Sequence, residues 1–143
     1  MNLYLDSAYV AKCYLNDADA EKVRALVQKA DSLCSSAWCL AEIACAFHRR
    51  VRERSLTPQQ GLQLRRLFFE HVSQGVWSLL PVTEAVLRGV DASVDLLPAD
   101  VFLRAGDAVH LVSAQMAGFS EIWSNDRHLF RAARYFGLAG RSV

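Results

Sequence analysis

The strongest constraint on this chain is an alternation of short apolar runs with longer stretches of helical periodicity. "LYL" at residues 3–5, "SLCSS" at 32–36, "GVWSLLPV" at 75–82 and "EIW" at 121–123 have strand length. The segments between them are too long for hairpin turns and are themselves helix-like. Strands joined in this way must cross over, which predicts an α/β fold with a parallel sheet.

The helical segments have recognisable faces and stops. "SAYVAKCYL" suits a short helix, and "DADAEKVRALVQKA" places Val23, Leu26, Val27 and Ala30 at helical spacing. "AWCLAEIACAFHRRVRERS" reads as a long helix whose apolar side runs through Trp38, Ala41, Ala44 or Cys45, and Val51. Thr57 before Pro58 is a capped helix start, and the helix it opens carries Leu62, Leu64, Leu67, Phe68 and Phe69. Thr83 caps another, running to about Leu97, and "AGDAVHLVSAQMAG" ends at Gly118 in the C′ position. "RHLFRAARYFGL" predicts a final helix, with one further strand after it.

With no repeats, low-complexity tract or linker, residues 1–143 read as one domain, long enough to bury a core. A 52% hydrophobic and 22% charged composition excludes a disordered chain. No apolar run reaches membrane-span length, and "NLYLD" carries no cationic leader or cleavage site, so the expected location is cytoplasmic. Cys13, Cys34, Cys39 and Cys45 lack zinc spacing and are read as reduced, buried thiols.

The net charge of +1 gives no global basic field, so the distribution of charge matters more. Arg49, Arg50, Arg52 and Arg54 crowd one stretch. Arginine suits phosphate, which makes Arg49, Arg50 and Arg52 candidate substrate contacts. A solvated helix end, with cations suited to the C-terminal dipole, explains the same cluster.

Four acids stand out by position. Asp6 and Asp126 follow strands, at the edge where open parallel sheets bind ligands. For each taken alone, helix capping is the leading reading. Glu42 is the only charged residue between Asp31 and Arg49, and Trp38, Cys39, Cys45 and Ala46 lie one turn away. A carboxylate in that company needs a cation, a metal or a raised pKa, and a salt bridge to an arginine elsewhere in the fold explains it as well as a metal does. Asp107 opens an apolar helix, where the dipole also favours an acid. His110, one turn on, is read as a hydrogen-bonded core residue. Were all four acids to converge, a cation between them would relieve their repulsion, and an all-oxygen set suits Mg²⁺ or Mn²⁺. Such ions hydrolyse phosphodiesters.

These residues sit in four blocks: "LYLDSAYVAKCYL", "SSAWCLAEIACAFHRRV", "LRAGDAVHLVSAQMAG" and "IWSNDRHLFRAARYFGL". In that order they resemble the PIN-domain family, specifically its VapC-type toxins, over nearly the whole length. The resemblance implies a three-layer PIN-like domain with a central parallel sheet flanked by helices. It implies that Asp6, Glu42, Asp107 and Asp126 are both the catalytic and the metal-binding residues. Mg²⁺ or Mn²⁺ would be the cofactor, and Ser7 and Ser124 would support the carboxylates or the scissile phosphate. The implied activity is endoribonucleolytic cleavage of RNA, blocked by a VapB-type antitoxin. A homodimer, and a hetero-oligomer with antitoxin on operator DNA, are the implied assemblies. Two departures are mild: Ala8 stands where a small hydroxyl residue is common, and Gly106 where a larger residue is usual.

Two other readings compete. Phosphotransfer sites with an Asp after the first strand usually want an acid two residues later and a late lysine. Here that position is Ala8, and the lysines are Lys12, Lys22 and Lys29. The second is a PIN-like RNA-binding or regulatory subunit without significant nuclease activity, against which the full set of acids argues.

Overall fold

The computed structural model describes all residues, 1–143. Its strands are β1 (Asn2–Tyr4), β2 (Ser32–Ser36), β3 (Trp77–Leu80), β4 (Glu121–Trp123) and β5 (Ala139–Arg141). Its helices are α1 (Ser7–Lys12), α2 (Ala20–Gln28), α3 (Cys39–Arg52), α4 (Pro58–Ser73), α5 (Glu84–Val94), α6 (Ala105–Met116) and α7 (Arg127–Ala133), the last continued by a 3-10 turn at Arg134–Phe136. Every strand pairing is parallel, β1 with β2, β2 with β3, and β4 with β5. A parallel bridge between Leu5 and Trp123 joins the two sets. The order across the sheet is therefore β3-β2-β1-β4-β5, with β1 at the centre.

Strand alternation divides the core between two faces. Leu3 and Leu5 of the β1 edge pack with Tyr9, Val23, Ile43, Phe47, Phe68 and Trp77, so α1 to α4 cover one face. Tyr4, between them, packs with Val86, Val109, Leu111, Ile122 and Leu129, so α5 to α7 cover the other. Helices, sheet and helices form three layers, as expected. No helix is long and apolar enough to cross a membrane.

Local chemistry explains the helix boundaries. Thr57 and Gln60 form a reciprocal capping box behind Pro58, and Thr83 Oγ1 accepts from the Val86 amide. Gly118 takes a positive φ of 79° after α6, where a side chain would be strained.

Three expectations need correction. The buried face of α3 is Cys39, Ile43 and Phe47, while Trp38 is exposed. Trp38 is the residue before the first helical turn, so its side chain is not held to the i, i+4 stripe that seats against α1 and α4. On α4 only Phe68 of the apolar set is fully buried, and Leu62, Leu67 and Phe69 are exposed because one layer of core covers only one side of that helix. Of the cysteines, Cys34 and Cys39 are buried, Cys13 is half-buried and Cys45 is exposed. Cys45 lies on α3 two residues past Ile43, which turns it away from the sheet.

Phe47 is fully buried at the centre of the α1–α3–α4 layer. Phe47→Ala is expected to cost about 3–5 kcal/mol of stability, read from urea unfolding. A loss below about 1 kcal/mol would contradict this packing.

A carboxylate cleft at the edge of the sheet

The chain emerges from β1 at Asp6 and from β4 at Ser124, side by side, because the Asp6 amide donates to the Trp123 carbonyl at 3.1 Å. Asp6 caps α1, its Oδ1 accepting from the Tyr9 amide at 2.9 Å. Its other oxygen accepts from the Ser124 hydroxyl. The same Ser124 oxygen accepts from the Asp126 amide at 3.0 Å. Asp126 in turn caps α7, accepting from the His128 amide at 2.8 Å and the Leu129 amide at 3.3 Å. The capping readings of both residues are therefore true. The turn from Ser124 to Asp126 is held by Tyr9, which donates to Asn125 Oδ1 at 2.9 Å and accepts from the Val143 amide.

Glu42 reaches the same place from α3, and Asp107 from the first turn of α6. Glu42 is half-buried and is neither in an arginine pair nor bare. Its Oε1 accepts from Ser7 Oγ at 2.8 Å and lies 3.0 Å from His110 Nε2. His110 is buried, with Nε2 at 2.9 Å from Ser7 Oγ and Nδ1 at 3.0 Å from the Tyr4 hydroxyl. A proton on Nε2 lets His110 donate toward Ser7 and Glu42 while Nδ1 accepts from Tyr4. The core-histidine reading is right, yet this histidine also holds the floor of the cleft.

Arg104, which precedes α6, was not anticipated. Its Nε donates to Asp107 Oδ2 at 3.1 Å and its Nη2 to Asp126 Oδ2 at 2.9 Å. A signal was present in "LRAGD": an arginine at a helix start opposes the dipole, so it needs an acidic partner, and Asp107 lies at i+3.

Asp6, Ser7, Ala8, Glu42, Arg104, Asp107, His110, Ser124, Asn125 and Asp126 line one open cleft of about 370 Å³. All four acids and both serines are thus on one cavity. Gly106 explains a close approach here: a Cβ at this position would lie 3.0 Å from Trp38 Nε1 and 3.4 Å from Glu42 Oε2. Arg49 and Arg50 line a neighbouring groove that shares Ala8 and Glu42 with the cleft and also contains Lys12. Arg49 pairs with Glu53 and Arg50 with Asp17, while Arg52 lines neither cavity. A cavity of about 310 Å³ between α3 and α4 has no carboxylate in its lining.

Burial sets the electrostatics. It raises the Asp6 carboxyl above its ordinary value, against the lowering effects of the Ser124 hydroxyl, His110 and the Tyr9 amide. Burial also pushes Glu42 upward, but His110, Ser7 and the Arg104 charge outweigh it and leave its pKa lowered. The bond to Asp107, then its charge, raises Arg104 further. As a metal site the donor chemistry fits a hard ion, with four carboxylates on one cleft and Asp6 buried. The ligand set is not gathered, however. No three acidic, histidine or cysteine side chains stand at metal-holding spacing, and Arg104 ties Asp107 to Asp126.

The PIN domain family matches residues 3–135, and the chain belongs to that family. Among solved structures, VapBC2 from Rickettsia felis, bound to a DNA fragment from its promoter, is similar at TM-score 0.69 and 12% identity, covering 99% of this chain and 98% of that one. Mycobacterium tuberculosis VapC20, described as a sarcin-ricin loop cleaving toxin, is similar at TM-score 0.68 and 15% identity, covering 91% and 94%. FitAcB from Neisseria gonorrhoeae is similar at TM-score 0.63 and 16% identity, covering 98% and 96%. At these identities the likeness is one of fold. A comparison with curated proteins gives no match.

The raised Asp6 has a consequence for stability. Below its ordinary value of 3.8 the group is protonated whether folded or unfolded. As pH rises through the raised folded value, ionisation in the buried position costs stability. Asp6→Asn in chelator-treated protein is therefore expected to melt higher than wild type, by a margin that widens from acid to neutral pH. A margin that shrinks with pH would contradict the burial effect.

Proposed function

We propose that this protein is a metal-dependent endoribonuclease toxin of the VapC type, neutralised by a cognate antitoxin. The observation that carries the reading is the opening of Asp6, Glu42, Asp107 and Asp126 onto one cleft at the carboxyl edge of a parallel sheet. The family adds support, since VapC and FitB-like structures share the fold.

Asp6 and Asp107 would be the direct ligands of Mg²⁺ or Mn²⁺, with Glu42 completing the shell or orienting water and Asp126 binding directly or through water. When bound, the ion would supply Lewis-acid stabilisation of phosphate charge and an activated water. The chain's own residues set the stage. Ser124 orients the Asp6 carboxylate while positioning the Asp126 amide. Ser7 and His110 fix one oxygen of Glu42, leaving the other toward Gly106. Arg49, beside the cleft and held only by an exposed i, i+4 pair with Glu53, is the candidate phosphate contact; Arg50, in a more buried pair with Asp17, and exposed Arg52 are weaker ones.

The antitoxin would be VapB-like, with assembly on operator DNA and action in the cytoplasm as for a free toxin. A homodimer is supported by exposed Leu87, Val94, Leu96 and Phe102 on and after α5. We read residues 1–143 as a single domain.

Purified protein incubated with RNA and Mg²⁺ or Mn²⁺ is expected to cleave internally, and EDTA is expected to stop it. Asp107→Asn should fall to the chelated level with its circular dichroism unchanged. Cleavage that survives EDTA would sink the metal mechanism; RNA binding without cleavage would favour the non-catalytic reading. Arg49→Ala is expected to weaken binding across RNA sequences and to reduce the log–log salt slope by about 0.7. An unchanged slope would remove Arg49 from the RNA contact.

A further inference from the structure

We propose that Arg104 is a built-in counter-cation of the cleft, which holds Asp107 and Asp126 together in the metal-free protein and must release them when a divalent ion binds. The inference rests on the metal-site reading above and concerns how that site is governed.

The geometry is specific. One guanidinium spans two acids from different elements, donating through Nε to Asp107 at the start of α6 and through Nη2 to Asp126 before α7. It is the only cationic side chain among the ten residues lining the cleft, apart from the ring of His110, which is turned to Ser7, Glu42 and Tyr4. Both bonds end on Oδ2 atoms, while Asp126 keeps its Oδ1 for the α7 amides. The oxygen Arg104 takes from Asp126 is therefore the one free for another cation.

Arg104 is also placed so that it can leave. Its side chain is 61% exposed and caps nothing, since it accepts no bond from the α6 amides. The positive end of α6 opposes it. What holds it is the pair of carboxylates, and the Phe102 ring lies 5.9 Å from its guanidinium carbon, outside the cleft lining. Without this arginine, Asp107 and Asp126 would face Glu42 and Asp6 with no opposing charge on the cleft wall. An ion entering would meet the guanidinium as a competitor for the same two oxygens, so metal-free stability and metal affinity are traded through one side chain.

The test is Mn²⁺ titration by calorimetry of chelator-treated full-length protein, wild type against Arg104→Gln and Arg104→Lys, with circular dichroism to verify folding. Arg104→Gln is expected to bind Mn²⁺ at least about tenfold more tightly. It should also melt lower without metal and gain more in melting temperature when Mn²⁺ is added. Arg104→Lys keeps the charge but lacks the fork that spans both acids, and is expected to fall between the two. A gain in Arg104→Gln that is absent from Arg104→Lys would assign the effect to charge at a distance and overturn the bridge. Equal or weaker binding in Arg104→Gln, with wild type binding normally, would overturn the proposal and leave the metal site standing. Absence of Mn²⁺ binding in all three proteins would overturn the metal reading itself.

Discussion

The hydroxyl of Ser124 sits between the ends of two parallel strands, and the geometry of the cleft depends on it. It donates to the buried carboxylate of Asp6 and accepts from the amide of Asp126, so one atom relates two acids 120 residues apart in the chain. The bond works because the Leu5–Trp123 bridge places β1 and β4 edge to edge. It also makes burial of Asp6 tolerable, since a carboxylate at 6% exposure needs donors. Ser124 and the Tyr9 amide supply them. The remaining acids approach this fixed point on helices whose own positions are set by packing against the two faces of the sheet.

Acids gathered on one wall repel, and the fold meets that repulsion differently at each. Asp6 is pushed toward its neutral form by burial. Glu42 is held ionised by His110, Ser7 and the nearby Arg104. Asp107 and Asp126 share Arg104 itself. Each acid thus has its own hydrogen-bond or charge partner, so the four line one cavity without being drawn to one point.

Legibility in the sequence varied with the range of the interaction. Elements governed by local chemistry were readable: Thr57 and Thr83 as caps, Gly118 as a stop, and the strands at "LYL", "SLCSS" and "EIW". The apolar face of α3 was misjudged, because Cys39, Ile43 and Phe47 are chosen over Trp38 and Ala41 by what α1 and α4 present to them. Glu42 signalled itself by isolation among apolar residues, but its partners did not, since Ser7 is 35 residues away and His110 is 68. Arg104 was hidden for a similar reason. Its bond to Asp107 is local, whereas the bond to Asp126 that gives it meaning spans 22 residues.

By itself the sequence determined the alternation of strands and helices, and with it a parallel sheet whose carboxyl edge carries Asp6 and Asp126. Those properties follow from periodicity and from caps, which act within a turn or two of the chain. Tertiary structure alone decided that Glu42 and Asp107 open onto the same cleft, that His110 braces it and that Arg104 spans two of its acids. The reason is that side chains meet across the sheet edge only after crossover packing has fixed the distances between helices, and no local pattern encodes those distances.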